Sequence, residues 1–446
     1  MYDIIILGAG PGGYELALEA SKKGLKVALV EADEVGGTCL NYGCIPTKTY
    51  YQNAKLINDL TKSEQLGMTV QYTFAFEKVF RRKEKVVSSL KEGIQFLLTK
   101  AKVELIQGYG HLVDKNSVEV NDSLYQAKYI VIATGSSSMT LNLPGFHNPR
   151  VISSQQLLAL KDLPKRLVVI GGGVIGIEMA SIFHSFGCDV EVIEMCEQIL
   201  PTLDQEIAKR LQSYLKQQGI KIYTNSIVHE IAGENELIVT VSSKGKEEHK
   251  VCDKVLLAVG RKPNVANMGL DCVGIHYSNK GIQVNDHFQT NVANIFAIGD
   301  VTGKTMLAHM ATYSGYRVLN YILQEKDTIN FNFIPACVFT FPEVATIGIT
   351  EEEARKMNLE ITIGKSYYRA NGKAVSMNET EGFVKIIACN ETIVGVHIIG
   401  YDASILIHEA LPLVNEKISI TKANSYIHAH PTLSEVFAIA LKELKK

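Results

Sequence analysis

A glycine-rich loop occurs twice in this chain, each time at the same distance from an acidic residue, and no other feature narrows the fold as much. The first copy, Gly8-Ala-Gly10-Pro-Gly-Gly13, follows the apolar run DIIIL (3–7) and precedes the stretch YELALEASKKG. The run KVALVE then ends at Glu31, 31 − 8 = 23 residues after Gly8. The second copy, Gly171-Gly-Gly173-Val-Ile-Gly176, follows RLVVI (166–170) and precedes IEMASIFHSFG, and DVEVIE ends at Glu194, again 194 − 171 = 23 residues on. A continuous apolar run suits a parallel strand covered on both faces. GxGxxG between such a strand and a helix, with an acid about 20 residues on, is a dinucleotide fingerprint. The glycines let the backbone approach a pyrophosphate at the helix N-terminus, and the acid accepts a ribose hydroxyl. A tight strand–helix turn accounts for one copy but not for two at equal spacing. The chain reads as an internal duplication carrying two dinucleotide sites.

Glu194 selects between nucleotides at the second site. A carboxylate there accepts from the 2′-hydroxyl of NAD and repels the 2′-phosphate of NADP. The stretch after it, MCEQILP, has no Arg or Lys for that phosphate, so NAD is expected.

Close behind the first loop lies GGTCLNYGCIPTK (36–48), with Cys39 and Cys44 separated by four residues. A thiol pair beside a nucleotide loop suggests a redox disulfide; two unrelated thiols, or half of a zinc site, are the alternatives. Zinc spacing is usually shorter and needs two further ligands, and none stand nearby in sequence. Residues i and i+5 of a regular helix have Cα atoms roughly 8–9 Å apart, beyond the ~7 Å a disulfide spans. Cys39 is therefore expected to precede the helix or to lie in a distorted first turn, with Gly43 and Pro46 suiting an irregular start.

The 446 residues allow about two to four domains with ample core. A net charge of −2 asks for neither nucleic acid nor an anionic membrane surface. No apolar run approaches the ~20 residues of a membrane span, and MYDIIILGAG enters a strand at once, so no targeting peptide is expected. Eight cysteines in so long a chain do not make a disulfide scaffold. Cys188, Cys196, Cys252, Cys272, Cys337 and Cys389 read as small buried hydrophobes. A cytoplasmic enzyme with one functional pair is the expectation.

Between the loops, 50–103 reads as a long helical segment whose RRKEK (81–85) is a solvated face. AKYIVIATGS (127–136) has a counterpart in VLLAVGRKPN (255–264), as a duplication requires. IFAIGD (295–300) is a strand ending in an acid, Asp300, which serves either a ribityl or ribose hydroxyl or a helix N-cap. MLAHMATYSGYRVLNYIL (306–323) reads as a helix whose N-terminus faces a cofactor. From Pro335 the texture turns β-rich, marking a separate α+β domain, which ends in SYIHAHPTLSEVFAIALKELKK. The final helix is expected to carry His428, His430, Pro431 and Glu435. The HxH is open to a metal pair without a local third ligand, to a structural role, or to a His430–Glu435 dyad in which the carboxylate raises imidazole basicity toward a thiol base.

Together, GAGPGGY, GGTCLNYGCIPTK, GGGVIGIE, AIGDVTGKTMLAH, NETEGFVKIIA and HAHPTLSE resemble, over essentially the whole chain, the dihydrolipoamide dehydrogenases among the pyridine nucleotide–disulfide oxidoreductases. The resemblance implies an α/β fold with two Rossmann-like domains, for FAD and NAD, and a C-terminal α+β dimerisation domain. It implies an FAD domain in two segments, 1–145 and 265–333, an NAD domain at 146–264 and an interface domain at 334–446. It implies a homodimer in which each His430–Glu435 dyad serves the thiols of the other subunit. Cys39 becomes the interchange thiol, Cys44 the charge-transfer thiol, and Lys48 the lysine beside the flavin, paired with Glu178. FAD is implied at Gly8, Gly10, Gly13, Glu31, Gly37, Thr38, Lys48, Gly110, Thr134, Gly135, Ser136, Asp300 and the turn Met306, Leu307, Ala308, His309. NAD is implied at Gly171, Gly173, Gly176, Glu178, Glu194, Val228 and Gly260. No resident metal is implied. The implied reaction oxidises dihydrolipoyl groups of 2-oxo acid dehydrogenase complexes, or of the glycine-cleavage lipoyl carrier protein, and reduces NAD⁺ to NADH. The alternative is an NAD(P)H-dependent reductase of another low-molecular-weight disulfide. Tyr42 and Tyr401 stand where smaller or different residues are expected, which bears on substrate access.

Overall fold

A computed structural model describes residues 1–444. The chain forms two compact units: 1–49 with 78–139 and 260–329, and 50–77 with 140–259 and 330 onward.

The first unit is built on a seven-stranded sheet. Its parallel part runs Glu104–Gln107, Val27–Glu31, Tyr2–Leu7, Ser123–Ile132, Ile295–Ala297. The strand Tyr2–Leu7 is central, and Ile4, Ile5 and Ile6 are wholly buried, as a strand covered on both faces demands. The helix Pro11–Lys22 starts at the glycine loop with Pro at its first position, where a missing N–H costs nothing. It packs against the helix Ala308–Leu323, and the contact is close because Gly12 faces Ala311 and Gly315 faces the Gly12 carbonyl.

The second unit repeats this plan. Its five-stranded parallel sheet runs Lys221–Tyr223, Asp189–Ile193, Arg166–Ile170, Lys254–Leu257, Val151–Ser153. Four strands follow the order of the first sheet, but the edge strand Val151–Ser153 precedes its glycine loop in the chain whereas Ile295–Ala297 comes last; in each copy a three-stranded antiparallel sheet follows the outer strand, Glu104–Gln107 or Lys221–Tyr223. A further five-stranded antiparallel sheet runs Ala336–Val338, Glu343–Gly348, Thr392–Gly400, Gly382–Cys389, Ile361–Tyr367. The helix Ser434–Lys442 shares its core through Val436, Phe437 and Ala440. Tyr50, with no exposed surface, meets Phe76, Phe183 and Phe186 in an aromatic cluster of the same unit.

Three local expectations need correction. The segment 50–103 is not one helix: Cys44–Thr61 and Phe76–Lys100 are separated by a 3-10 turn and the irregular run 67–75. Gly67, at φ +79°, stops the first helix region, and GMTVQYTF carries β-branched residues that resist restarting it. Within RRKEK, Lys83 is buried over the Phe80 ring while its four neighbours are exposed. Of the six scattered cysteines only Cys188 and Cys252 are buried; Cys196, Cys337 and Cys389 are half-buried and Cys272 is exposed.

Candidate active site

The two glycine loops match atom by atom. Gly8 and Gly171 both have φ +107°, and a Cβ on either would come 2.4 Å from a carbonyl oxygen, of Ala133 or of Ala258. A Cβ on Gly13 or Gly176 would lie 1.8 or 2.0 Å from the carbonyl oxygen of Gly8 or Gly171. Helix and strand therefore meet only because these positions have no side chain. Gly10 and Gly173, extended N-cap residues of their helices, face open space instead. A pyrophosphate fits there, against helix N–H groups with no partner inside the helix. Each strand-end carboxylate is held in the same way. Glu31 accepts from Ala9 N–H at 2.6 Å and Asp33 N–H at 2.8 Å. Glu194 accepts from Gly172 N–H at 2.6 Å and Cys196 N–H at 2.7 Å. Burial pushes the Glu31 carboxyl above its ordinary range, against the pull of those N–H groups. Both loops thus fit a dinucleotide.

The thiol pair is seated directly on the first loop. Gly36 N–H donates to the Ala9 carbonyl at 2.8 Å, and a Cβ on Gly37 would sit 2.7 Å from Gly10 Cα. Thr38 and Cys39 lie in the short helix Gly37–Asn41, and Cys44 opens the helix Cys44–Thr61. Tyr42 and Gly43 break the two apart, so the expected irregular start is present and the thiols approach each other. The Cys39 and Cys44 side chains hydrogen-bond, and that bond, followed by burial, pushes the Cys39 thiol up while the Lys48 charge pulls it down. Lys48 lies one turn along the helix from Cys44. Cys39 is half-buried and Cys44 exposed.

Other predicted residues gather in the same unit. Ser136 Oγ donates to Asp300 Oδ2 at 2.6 Å. Thr134 Oγ1 donates to the Asn264 carbonyl at 3.0 Å, and Asn264 returns a bond to the Thr134 carbonyl at 2.9 Å. Ser136–Ser138 pairs with Arg261–Pro263, which brings the end of ATGS against GRKPN. Gly135, at φ +68°, faces open space, and Gly110 packs on Leu7. The turn Met306, Leu307, Ala308, His309 enters the helix Ala308–Leu323, whose N-cap Leu307 provides no side-chain cap. Gly260 belongs to this unit too, its carbonyl accepting from Met139 N–H at 3.0 Å.

In the second unit Glu178 is buried on the helix Val174–Ser185 and accepts from Phe339 N–H at 3.0 Å. Val228 lies at a bulge of the strand Ser226–Ala232, half-buried against the sheet core. His430 Nδ1 is 3.0 Å from Glu435 Oε1, and Thr432 N–H donates to Glu435 Oε2 at 2.9 Å. The Thr432 N–H, then His430, hold the Glu435 carboxyl below its ordinary range. With Nδ1–H donated to a carboxylate, Nε2 is the basic nitrogen. The final helix does not carry both histidines: it begins at Ser434, so only Glu435 lies on it. Pro431 explains this, since the residue before a proline is driven out of the α region. His428 instead pairs with Glu409 at 3.2 Å. No cluster of three metal-ligating side chains occurs among the described residues.

Arg261 escaped the sequence reading. Its guanidinium is largely buried, donating from Nε to Ser136 Oγ at 2.8 Å and from a terminal nitrogen to the Ser136 carbonyl at 2.5 Å. Burial pushes its pKa down, and the charges of Asp300 and Cys44 oppose this. The signal was present in GRKPN: a lone Arg just past a strand end, paired to ATGS by the duplication.

This constellation defines a class. The family model described as pyridine nucleotide-disulphide oxidoreductase matches residues 2–315, and the dimerisation-domain model of the same family matches residues 334–441. The chain belongs to that family and is an oxidoreductase. It is 37% identical to the dihydrolipoyl dehydrogenase of Chlamydia trachomatis, over 98% of this chain and 95% of that one. A dihydrolipoyl dehydrogenase of Bacillus subtilis is 39% identical, over 97% and 94%. The solved structure of the HOCl-induced flavoprotein disulfide reductase of Escherichia coli superposes with a TM-score of 0.88 at 30% identity, covering 99% of each chain.

Proposed function

We propose that this chain is a dihydrolipoyl dehydrogenase that works as a homodimer, oxidising protein-bound dihydrolipoyl groups and reducing NAD⁺ to NADH. The observation that carries the redox reading is the seating of Cys39 and Cys44 on the first glycine loop, through Gly37 against Gly10. The names of full-length relatives support the substrate.

Residues 1–145 and 265–333 are assigned to FAD, 146–264 to NAD, and 334–446 to the dimer interface. FAD sits on the loop Gly8, Gly10, Gly13 with Glu31, and on Ser136 and Asp300; NAD sits on Gly171, Gly173, Gly176 and Glu194. Bound there, FAD supplies the two-electron relay between the thiols and NAD⁺. Nε2 of His430 of the partner subunit takes a proton from one substrate thiol. The resulting thiolate attacks Cys39 in the Cys39–Cys44 disulfide and expels Cys44 as a thiolate. The second substrate sulfur, deprotonated in turn, displaces Cys39 and closes the substrate disulfide. Lys48 stabilises the thiolate left on the pair, and Glu435 orients His430. The carriers are the lipoyl domains of 2-oxo acid dehydrogenase complexes or the lipoyl carrier of glycine cleavage. No helix among the described residues is long and apolar enough to cross a membrane, and a cytoplasmic location accords with that.

The test mixes the FAD-loaded protein with dihydrolipoamide and NAD⁺, with NADP⁺ in parallel, and follows absorbance at the reduced nicotinamide band. Rapid NADH formation with NAD⁺ alone is expected. His430→Gln should slow it roughly 10²- to 10⁴-fold, the usual worth of a general base. The second reading, a reductase of another small disulfide, is favoured by the name of the solved flavoprotein neighbour. It takes over if NADH reduces the bound flavin while dihydrolipoamide yields no NADH.

A further inference from the structure

In both copies the second residue of the glycine loop is held at both its ends. Ala9 N–H donates to Glu31 at 2.6 Å, and the Ala9 carbonyl accepts from Gly36 N–H at 2.8 Å. Gly172 N–H donates to Glu194 at 2.6 Å, and the Gly172 carbonyl accepts from Leu200 N–H at 2.8 Å. The second donor lies 36 − 31 = 5 residues past the acid in one copy and 200 − 194 = 6 in the other, so no fixed spacing marks it. Both donors have left-handed backbone, Gly36 at φ +97° and Leu200 at φ +49°. Glycine adopts that region freely, whereas a bulky side chain does so rarely and only where its surroundings enforce it. Leu200 is 1% exposed, and its carbonyl accepts from Leu203 N–H at 2.9 Å, so packing and a tight turn keep it there.

The second copy has the greater need of such a hold. It places three glycines in a row, Gly171 to Gly173, where the first copy has Ala9 in the middle. A Cβ on Gly172 would come 3.1 Å from both Cβ and Oε2 of Glu194, so the acid leaves room for glycine alone. A peptide between two glycines rotates against little steric resistance. The Gly172–Gly173 peptide is trans, so its carbonyl and its N–H point in opposite directions. Rotating it would bring a carbonyl oxygen in place of the Gly173 N–H at the head of the helix Val174–Ser185, where an anion requires donors.

We propose that Leu200 is a positioning residue for the pyrophosphate of the nicotinamide nucleotide: its N–H holds the Gly172 carbonyl and so keeps the Gly173 N–H turned toward the anion. This rests on the reading of the second loop as the NAD site and adds no site to it. The acid and the leucine then divide the nucleotide between them, Glu194 serving the ribose diol and Leu200 the pyrophosphate. Loss of the Leu200 donor therefore weakens ligands that carry a pyrophosphate and spares those that do not.

The experiment exchanges Leu200 for its α-hydroxy acid analogue, which replaces the N–H by an ester oxygen and keeps the side chain. The same exchange at Leu203 removes the turn donor without touching the loop. Leu200→Val gives a second route, since a β-branched side chain resists left-handed backbone while keeping an apolar group. Thermal midpoints and flavin content confirm that each FAD-loaded full chain is folded. Each is titrated calorimetrically with NAD⁺, and with adenosine, which has the diol but no phosphate, by displacement. The Leu200 ester and Leu200→Val should bind NAD⁺ with a Kd about three- to tenfold higher and adenosine within twofold of native. The Leu203 ester should lower the thermal midpoint with an unchanged NAD⁺ Kd. If the native protein binds NAD⁺ and both Leu200 variants bind it within twofold, the inference is overturned and the nucleotide assignment stands. Equal weakening of adenosine, or of NAD⁺ by the Leu203 ester, overturns it too, because the effect is then general to the segment. If the native protein binds no nicotinamide nucleotide, the assignment itself fails and the inference with it.

Discussion

Replacing Lys385 by methionine is the perturbation whose cost the structure specifies most fully. Lys385 is 1% exposed, and its Nζ lies 2.8 and 3.0 Å from the two Asp204 oxygens, 2.7 Å from Glu351 and 3.5 Å from Glu206. The partners differ in what they lose. Glu206 and Glu351 reach solvent and recover hydration when the ammonium is gone. Asp204 is 0% exposed and, among the described residues, is left with backbone N–H donors at 3.1 to 3.4 Å: those of Glu206 and Ile207, where it caps the helix Gln205–Gln217, and that of Glu351. Removing one member of a buried ion pair costs about 3–5 kcal/mol, a shift of roughly 10²- to 4 × 10³-fold in the unfolding equilibrium. The pH dependence follows from Asp204. Burial raises its pKa, but Lys385 and then His397 outweigh burial, so the net value is lowered. A carboxylate with a lowered native pKa contributes stability that is present above its unfolded value near 4 and is lost as pH falls through the native value. In Lys385→Met burial dominates and the native pKa moves above the unfolded one. The deficit is then full near neutrality and shrinks on acidification. Urea unfolding at pH 7.5 and 5 measures both effects. The double variant Asp204→Asn/Lys385→Met should recover a large part of the loss, because no unpaired charge stays buried. A loss below about 1 kcal/mol at pH 7.5, or a double variant no better than the single one, would refute the reasoning.

The glycine loops offer a paired test. Gly13→Ala drives a Cβ to 1.8 Å from the Gly8 carbonyl oxygen, whereas Gly10→Ala meets nothing within 4 Å. Gly13→Ala should yield little folded protein; Gly10→Ala should fold normally but bind less flavin, read from the flavin-to-protein absorbance ratio, and full flavin occupancy would count against the pyrophosphate position. Cys39→Ser and Cys44→Ser should each abolish dihydrolipoamide-dependent NADH formation while keeping bound flavin, so either variant turning over at the native rate would remove that thiol from the chemistry.

Much of this was legible in the chain itself, for a definite reason. GxGxxG with an acid 23 residues on is in part a backbone requirement written locally: the third glycine of each loop answers a contact within its own strand–turn–helix unit, as the clashes at Gly13 and Gly176 show, whereas the first meets a distant carbonyl, of Ala133 or Ala258. The break between Cys39 and Cys44 was equally legible, because the i, i+5 geometry of a helix forbids their approach and Tyr42 and Gly43 interrupt it. Features that depend on distant partners were not. Local periodicity offered a helix across 67–75 and buried thiols at Cys196 and Cys272, yet neither environment is set locally. Lys83 read as a solvated charge until packing placed it over Phe80.

By itself, the sequence determined the two dinucleotide loops, the thiol spacing and the β-rich C-terminal domain, since periodicity and backbone sterics act over a few residues. Only the tertiary structure decided that Gly37 would seat the thiols on Gly10, that Arg261 would meet Ser136 across 125 residues, and that Lys385 would find Asp204 across 181. Those contacts join segments with no local preference for one another, and burial, which makes an unpaired charge or donor costly, selects them only once the chain has closed around them.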